Sequence, residues 1–164
     1  MRESPFVYLA MLILACGPGE PPKTSIDAGD SAFAGVQARG GIAMGVNQYT
    51  SRHVFEPLPD GGRIALQREA ADSEGAAQIR RHMQEIAGRF AAGDFTLPGF
   101  VHARTVPGTE IMAARRAAIT YAVDTLTRGA ALRIRSADST AVRAIHEFLA
   151  FQRQDHHAGA HADS

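Results

Sequence analysis

RHVFEPLPDGGRIALQR, residues 52–68, is the stretch that decides the fold. Pro59-Asp60-Gly61-Gly62 at its centre is a hairpin turn signal: proline fixes φ, and glycine accepts the positive φ that a tight return needs. Residues 52–58 and 63–68 flank it as two short strand-like runs. Ile64 and Leu66 alternate with Arg63, Ala65 and Gln67, so one face of the second strand is buried. Asp72 or Ser73 then caps a helix. Along that helix Ile79, Met83, Ile86 and Phe90 recur at spacings of four, three and four, which gives one apolar stripe. Gly93-Asp94 ends it.

A similar order returns downstream. Residues 118–125 and 131–136 have strand character and are joined through Thr127-Arg128-Gly129. Ile119, Tyr121 and Val123 alternate, as do Leu132 and Ile134. Ala137-Asp138-Ser139 repeats Ala71-Asp72-Ser73 at a distance of 66 residues. A second helix follows, with Ala141, Ile145, Phe148, Leu149 and Gln152 along its inner stripe. The expectation is an α+β domain of two ββα units, forming a four-stranded, mostly antiparallel sheet with two helices on one face.

Between the units, residues 95–106 (FTLPGFVHARTV) read as irregular and apolar. Pro107-Gly108-Thr109 then opens a short helix to about Arg116. So long a connection inside a compact domain is more often functional than accidental. Upstream, residues 17–48 are rich in Gly, Pro, Ser, Asp and Ala and lack period 2 or 3.6, which reads as a flexible tether. The expected organisation is therefore a signal at 1–15, a cysteine and linker at 16–48, an α+β domain at 49–158, and a disordered tail at 159–164.

The first sixteen residues carry an address. Phe6 to Ala15 (FVYLAMLILA) is uninterrupted apolar chain. As a helix it spans about 15 Å, half the hydrocarbon thickness of a bilayer, which suits a signal peptide and not a spanning helix. It runs into Ile13-Leu14-Ala15-Cys16, which resembles the lipobox of bacterial lipoprotein precursors. That resemblance implies cleavage before Cys16 and a diacylglyceryl group on its thiol. The new amino group can be acylated as well. Several acyl chains hold a protein almost irreversibly, since each buried CH₂ contributes about 0.8 kcal/mol. The bilayer is then the first partner, through acylated Cys16, and the domain faces the periplasm or the cell exterior. Gly17, in place of the aspartate that marks inner-membrane retention in enteric bacteria, points towards an outer membrane. Cys16 is the one cysteine, so no intramolecular disulfide exists.

The remaining chemistry is narrowed by what is missing. Seventeen basic residues balance seventeen acidic ones, and Lys23 is the sole lysine, so no basic field exists to draw in nucleic acid. No Gly-x-Ser-x-Gly elbow, P-loop or GxGxxG occurs. His146-Glu147 begins a zincin-like motif, but Ala150 stands where its second histidine belongs. The histidines are the residues to weigh. In an exported protein, histidine with methionine suits copper or zinc, and His82, His102, His156, His157 and His161 are the candidate ligands. Met83 belongs to the core stripe, and His146, about 100° from the stripe of its helix, is expected in solvent. Phe100 in the long connection and Phe151, about 120° off its helix stripe, are candidate contacts for a protein partner. Phe95, Leu97 and Val101 add apolar surface beside Phe100.

Three segments, His53–Ile64, Val101–Thr109 and Ala144–Gln152, also resemble a set of small exported bacterial proteins. That resemblance implies no particular chemistry. An aspartate carbamoyltransferase assignment does not suit this chain, which is too short for that enzyme's two-lobed fold and lacks its Ser-Thr-Arg-Thr phosphate loop. The functional expectation is a membrane-tethered exported protein with a small binding or accessory domain. Copper or zinc binding is the alternative.

Overall fold

The computed structural model describes residues 28–158. Helix α1 (Ala28–Met44) and a 3-10 turn (Gln48–Thr50) precede the hairpin of β1 (Ser51–Leu58) and β2 (Gly61–Arg68). Helices α2 (Ser73–Ala91), α3 (Thr96–His102) and α4 (Thr109–Ala114) follow. A second hairpin, β3 (Ile119–Leu126) and β4 (Gly129–Ser136), leads into α5 (Ser139–Asp155). The strands form one sheet in the order β1-β2-β4-β3, antiparallel throughout. The fold is the expected α+β arrangement.

Alternation places the core. Phe55, Ile64, Leu66, Leu132, Ile134 and Ile119 are buried on one sheet face, and the register sets Ile64 opposite both Phe55 and Leu132. Both long helices cover that face, α5 mainly over β1 and β2, and α2 mainly over β3 and β4. Their inner stripes are the expected ones: Ile79, Met83, Ile86 and Phe90 on α2, and Ala141, Ile145, Phe148, Leu149 and Gln152 on α5. The caps hold as well. Asp72 accepts from the Gly75 N–H at 2.8 Å, and Asp138 from the Thr140 N–H at 2.8 Å.

The two units superpose in layout with one adjustment. Their strands begin at Ser51 and Ile119, and at Gly61 and Gly129, both 68 residues apart, whereas their long helices begin at Ser73 and Ser139, 66 apart. The strand-to-helix link is two residues shorter in the second unit. A single offset of 66 therefore fits the caps but slips the strands by two.

Two expectations are corrected. Residues 17–48 are not a tether throughout, because Ala28–Met44 is α1 and it is docked on the body. Arg39 Nε donates to the Val101 carbonyl at 2.7 Å, and Gln78 Nε2 donates to the Met44 carbonyl at 3.1 Å. Arg68 adds hydrogen bonds to the Asn47 carbonyl and the Ser51 hydroxyl. The contact stripe of α1 includes Val36, Gly40 and Met44, spaced by four. It escapes a search for large apolar residues because Gly40 sits in it, against the Gln48 side chain. Residues 95–106 are likewise not irregular throughout. Asp94 Oδ1 accepts from both the N–H and the hydroxyl of Thr96, which starts α3. Pro98 lies in the first turn, where its missing N–H costs nothing.

Gly108 joins the halves closely. Its φ is +80°, and a Cβ there would stand 2.1 Å from the Ala144 carbonyl oxygen on α5. Backbone cannot retreat as a side-chain tip can. Gly108→Ala is therefore expected to cost about 2–4 kcal/mol by the usual measure of strained φ plus overpacking. Urea denaturation checks this, and a midpoint equal to that of the parent would refute it.

Candidate functional site

The sheet face under α5 and α2 is not filled completely. Between β1, α2, α5, α3 and α1 lies a cavity of about 90 Å³. Its wall is almost wholly apolar, built in part by Phe55, Leu66, Met83, Phe90, Leu97 and Phe148. Its polar members are Gln48, His53, His82, His102, Gln152 and His156. Four of the seven histidines thus converge on one small space, from β1, α2, the C-terminal end of α3 and the C-terminal end of α5.

His53 and His156 form the unusual pair. Their rings stack at 4.9 Å between centroids, tilted by 25°, and Phe55 lies 5.4 Å from the His156 ring. His53 Nε2 and His156 Nδ1 are both buried without a hydrogen-bond partner. Burial holds both rings neutral. It lowers the His53 pKa to about 4, with a further push from nearby His82. It lowers that of His156 to about 3, with contributions from His53, His102 and His157. His82 is displaced downward too, by burial against the opposing pull of Glu85.

His102 is different, since the protein engages both of its ring nitrogens. Nδ1 donates to the Asp155 carboxylate, and Nε2 lies 2.9 Å from the Gln152 amide oxygen. Asp155 also receives Arg104 at 2.9 Å. His102 and His156 meet edge to face at 5.1 Å. His102 therefore supports the site and braces α3 against α5.

The pair has a counterpart in the other unit. His53 on β1 corresponds to Tyr121 on β3 at the strand offset, and His156 after α5 corresponds to Phe90 on α2 at the helix offset. Phe90 and Tyr121 also meet, edge to face at 6.0 Å. The same two positions thus hold Phe and Tyr in one unit and two histidines in the other.

Of the residues singled out from sequence, His82, His102 and His156 come together here. His157 does not: it is exposed and stacks on Phe33 at 4.1 Å. His161 and Cys16 lie outside the described residues. Among the described residues, no three His, Cys, Asp or Glu side chains stand as a ready metal cage. His146 is not free in solvent, because it is half-buried and its Nε2 donates to the Leu58 carbonyl at 2.9 Å. Phe100 is 48 % exposed, as a contact residue should be. Phe151 is not, since it is half-buried against the His102 ring with the Arg104 guanidinium 4.5 Å above its own. The helical wheel places Phe151 outside, but α3 and the Arg104 side chain cover that side of α5.

His53 was missed by sequence reasoning, although a signal for it existed. It stands two residues before Phe55 and opposite Leu66 in the register, so it shares their buried face.

Compared with family models, curated proteins and solved structures, the chain matches none significantly. Among the described residues, no helix is long and apolar enough to cross a membrane.

Proposed function

We propose that this chain is an exported lipoprotein, tethered through acylated Cys16, whose folded body binds a small ligand in the histidine-lined cavity. One observation carries the binding half of the reading: His53 Nε2 and His156 Nδ1 are buried and unpartnered on residues that line a mostly apolar cavity. Leaving such an atom unsatisfied costs about 1–3 kcal/mol, and a ligand that bonds to both offsets that cost. The space is small. An engineered apolar cavity of about 150 Å³ accepts benzene or xenon, so about 90 Å³ restricts the ligand to one or a few heavy atoms. The anchoring half rests on the ILAC segment before the domain.

Two measurements test this. Xenon, added under pressure to the labelled protein, is expected to shift the methyl resonances of Met83 and Leu97, and Ala43→Phe on α1 is expected to abolish the shifts. Unchanged resonances would reject the cavity as a binding space. In cells, Cys16→Ala is expected to end labelling by radioactive palmitate and to leave the chain at its unprocessed length, with the apolar run before residue 16 still attached. Palmitate labelling that persists in that variant would reject the anchor.

A further inference from the structure

We infer that the cavity is a binding site for a single monovalent copper ion, Cu(I), held by His53 Nε2 and His156 Nδ1 with a methionine thioether. This rests on the cavity being a binding space and names what fills it. The donor set is the first argument. His53 and His156, whose Nε2 and Nδ1 are buried and unpartnered, line the cavity together with Met44 and Met83. Imidazole suits copper, and thioether sulfur selects its soft monovalent state. Cu(I) accepts two or three ligands, so it does not need the larger cage that the described residues lack.

Charge is the second argument. Among the residues lining the cavity there is no aspartate or glutamate. Asp155, close by, is already engaged by His102 and Arg104. The cost of burying an ion rises with the square of its charge, and uncompensated buried charge is very unfavourable. A neutral wall therefore disfavours Zn²⁺ and Cu²⁺, which lean on anionic ligands, relative to a soft monocation.

Support around the site is the third. A metal-bound imidazole needs its ring fixed by its surroundings. His156 is packed between His53, Phe55 and the edge of His102, and His102 is anchored by Asp155 and Gln152. The third ligand comes from a residue type that adapts without backbone movement, because methionine has three rotatable bonds.

The test uses the untagged full-length chain in detergent, titrated under argon with Cu(I) against a chromophoric Cu(I) chelator. One equivalent is expected to bind. The informative variant is His53→Tyr with His156→Phe, because the other unit already houses that pair. It is expected to keep the fold, checked by thermal melting at pH 7.5, and to lose Cu(I) affinity by at least a hundredfold. Met44→Leu with Met83→Leu conserves side-chain volume and is expected to weaken binding about tenfold. His157→Ala is expected to change nothing. Affinity unchanged in the Tyr/Phe variant would place copper elsewhere and overturn the proposal. Failure of the parent to bind Cu(I) while xenon still shifts Met83 and Leu97 would overturn copper alone. Failure of both would overturn the cavity reading as well.

Discussion

Between pH 7.5 and pH 5 the metal-free chain is expected to lose about 4 kcal/mol of stability from two histidines alone. His53 and His156 stay neutral in the folded protein down to about 4 and about 3. In the unfolded chain each protonates near 6.5. Below 6.5 the unfolded state therefore binds protons that the folded state refuses, so stability falls as pH falls. Each histidine contributes about 1.4 kcal/mol per pH unit, hence about 2 kcal/mol apiece at pH 5. The slope flattens only below the folded pKa values. Above 6.5 both states are neutral and this contribution vanishes. His82, also displaced downward, adds in the same direction. The carboxylates that the fold lowers, Asp60, Asp72, Asp94 and Asp138, titrate below this window and do not compensate. Urea melts at the two pH values, with a chelator present, measure the difference. In the His53→Tyr/His156→Phe variant most of it is expected to disappear. An equal pH dependence in that variant would show that the pair is not its source.

Phe148→Ala is expected to cost about 4 kcal/mol, within the range for removing a buried aromatic ring. Phe148 is 2 % exposed. It meets Phe90 edge to face at 5.8 Å and Phe95 at 6.2 Å, and so ties α5 to α2 and to the start of α3. It also forms part of the cavity wall. The void left by the ring would merge with the existing space, which gives the surroundings little to collapse onto. A fall in the urea midpoint at unchanged m-value would register the loss. A cost under about 1 kcal/mol would mean that this wall is not rigid.

The sheet and its two long helices were legible in the sequence because alternation and capping are local. Ile64 and Leu66 declare a face, and Asp72 and Asp138 declare two starts. Helix α1 was not legible. Its docking relies on Gly40 permitting close approach and on Arg39, Arg68 and Gln78 reaching backbone carbonyls, and none of these gives a periodic signal. Helix α3 was hidden by Pro98 and Gly99, which mark a break unless the proline falls in the first turn. The site was legible only in part. His82, His102 and His156 could be weighed one by one, but that they share a cavity with His53 follows from strand register and the return of α5. The exposure expected of Phe151 failed because a helical wheel ignores the elements that cover it. The lipobox reading of Cys16 stands on local sequence alone.

The correspondence of the two pairs, His53 with His156 and Tyr121 with Phe90, bears on why both units share a chain. A symmetric dimer of one such unit would have to furnish both pairs identically. It would then carry two histidine pairs and no aromatic pair, or the reverse. Fusion into one polypeptide lifts that constraint and permits a division of labour. Phe90 and Tyr121 can then pack with the shared core while the corresponding positions in the other unit hold histidines.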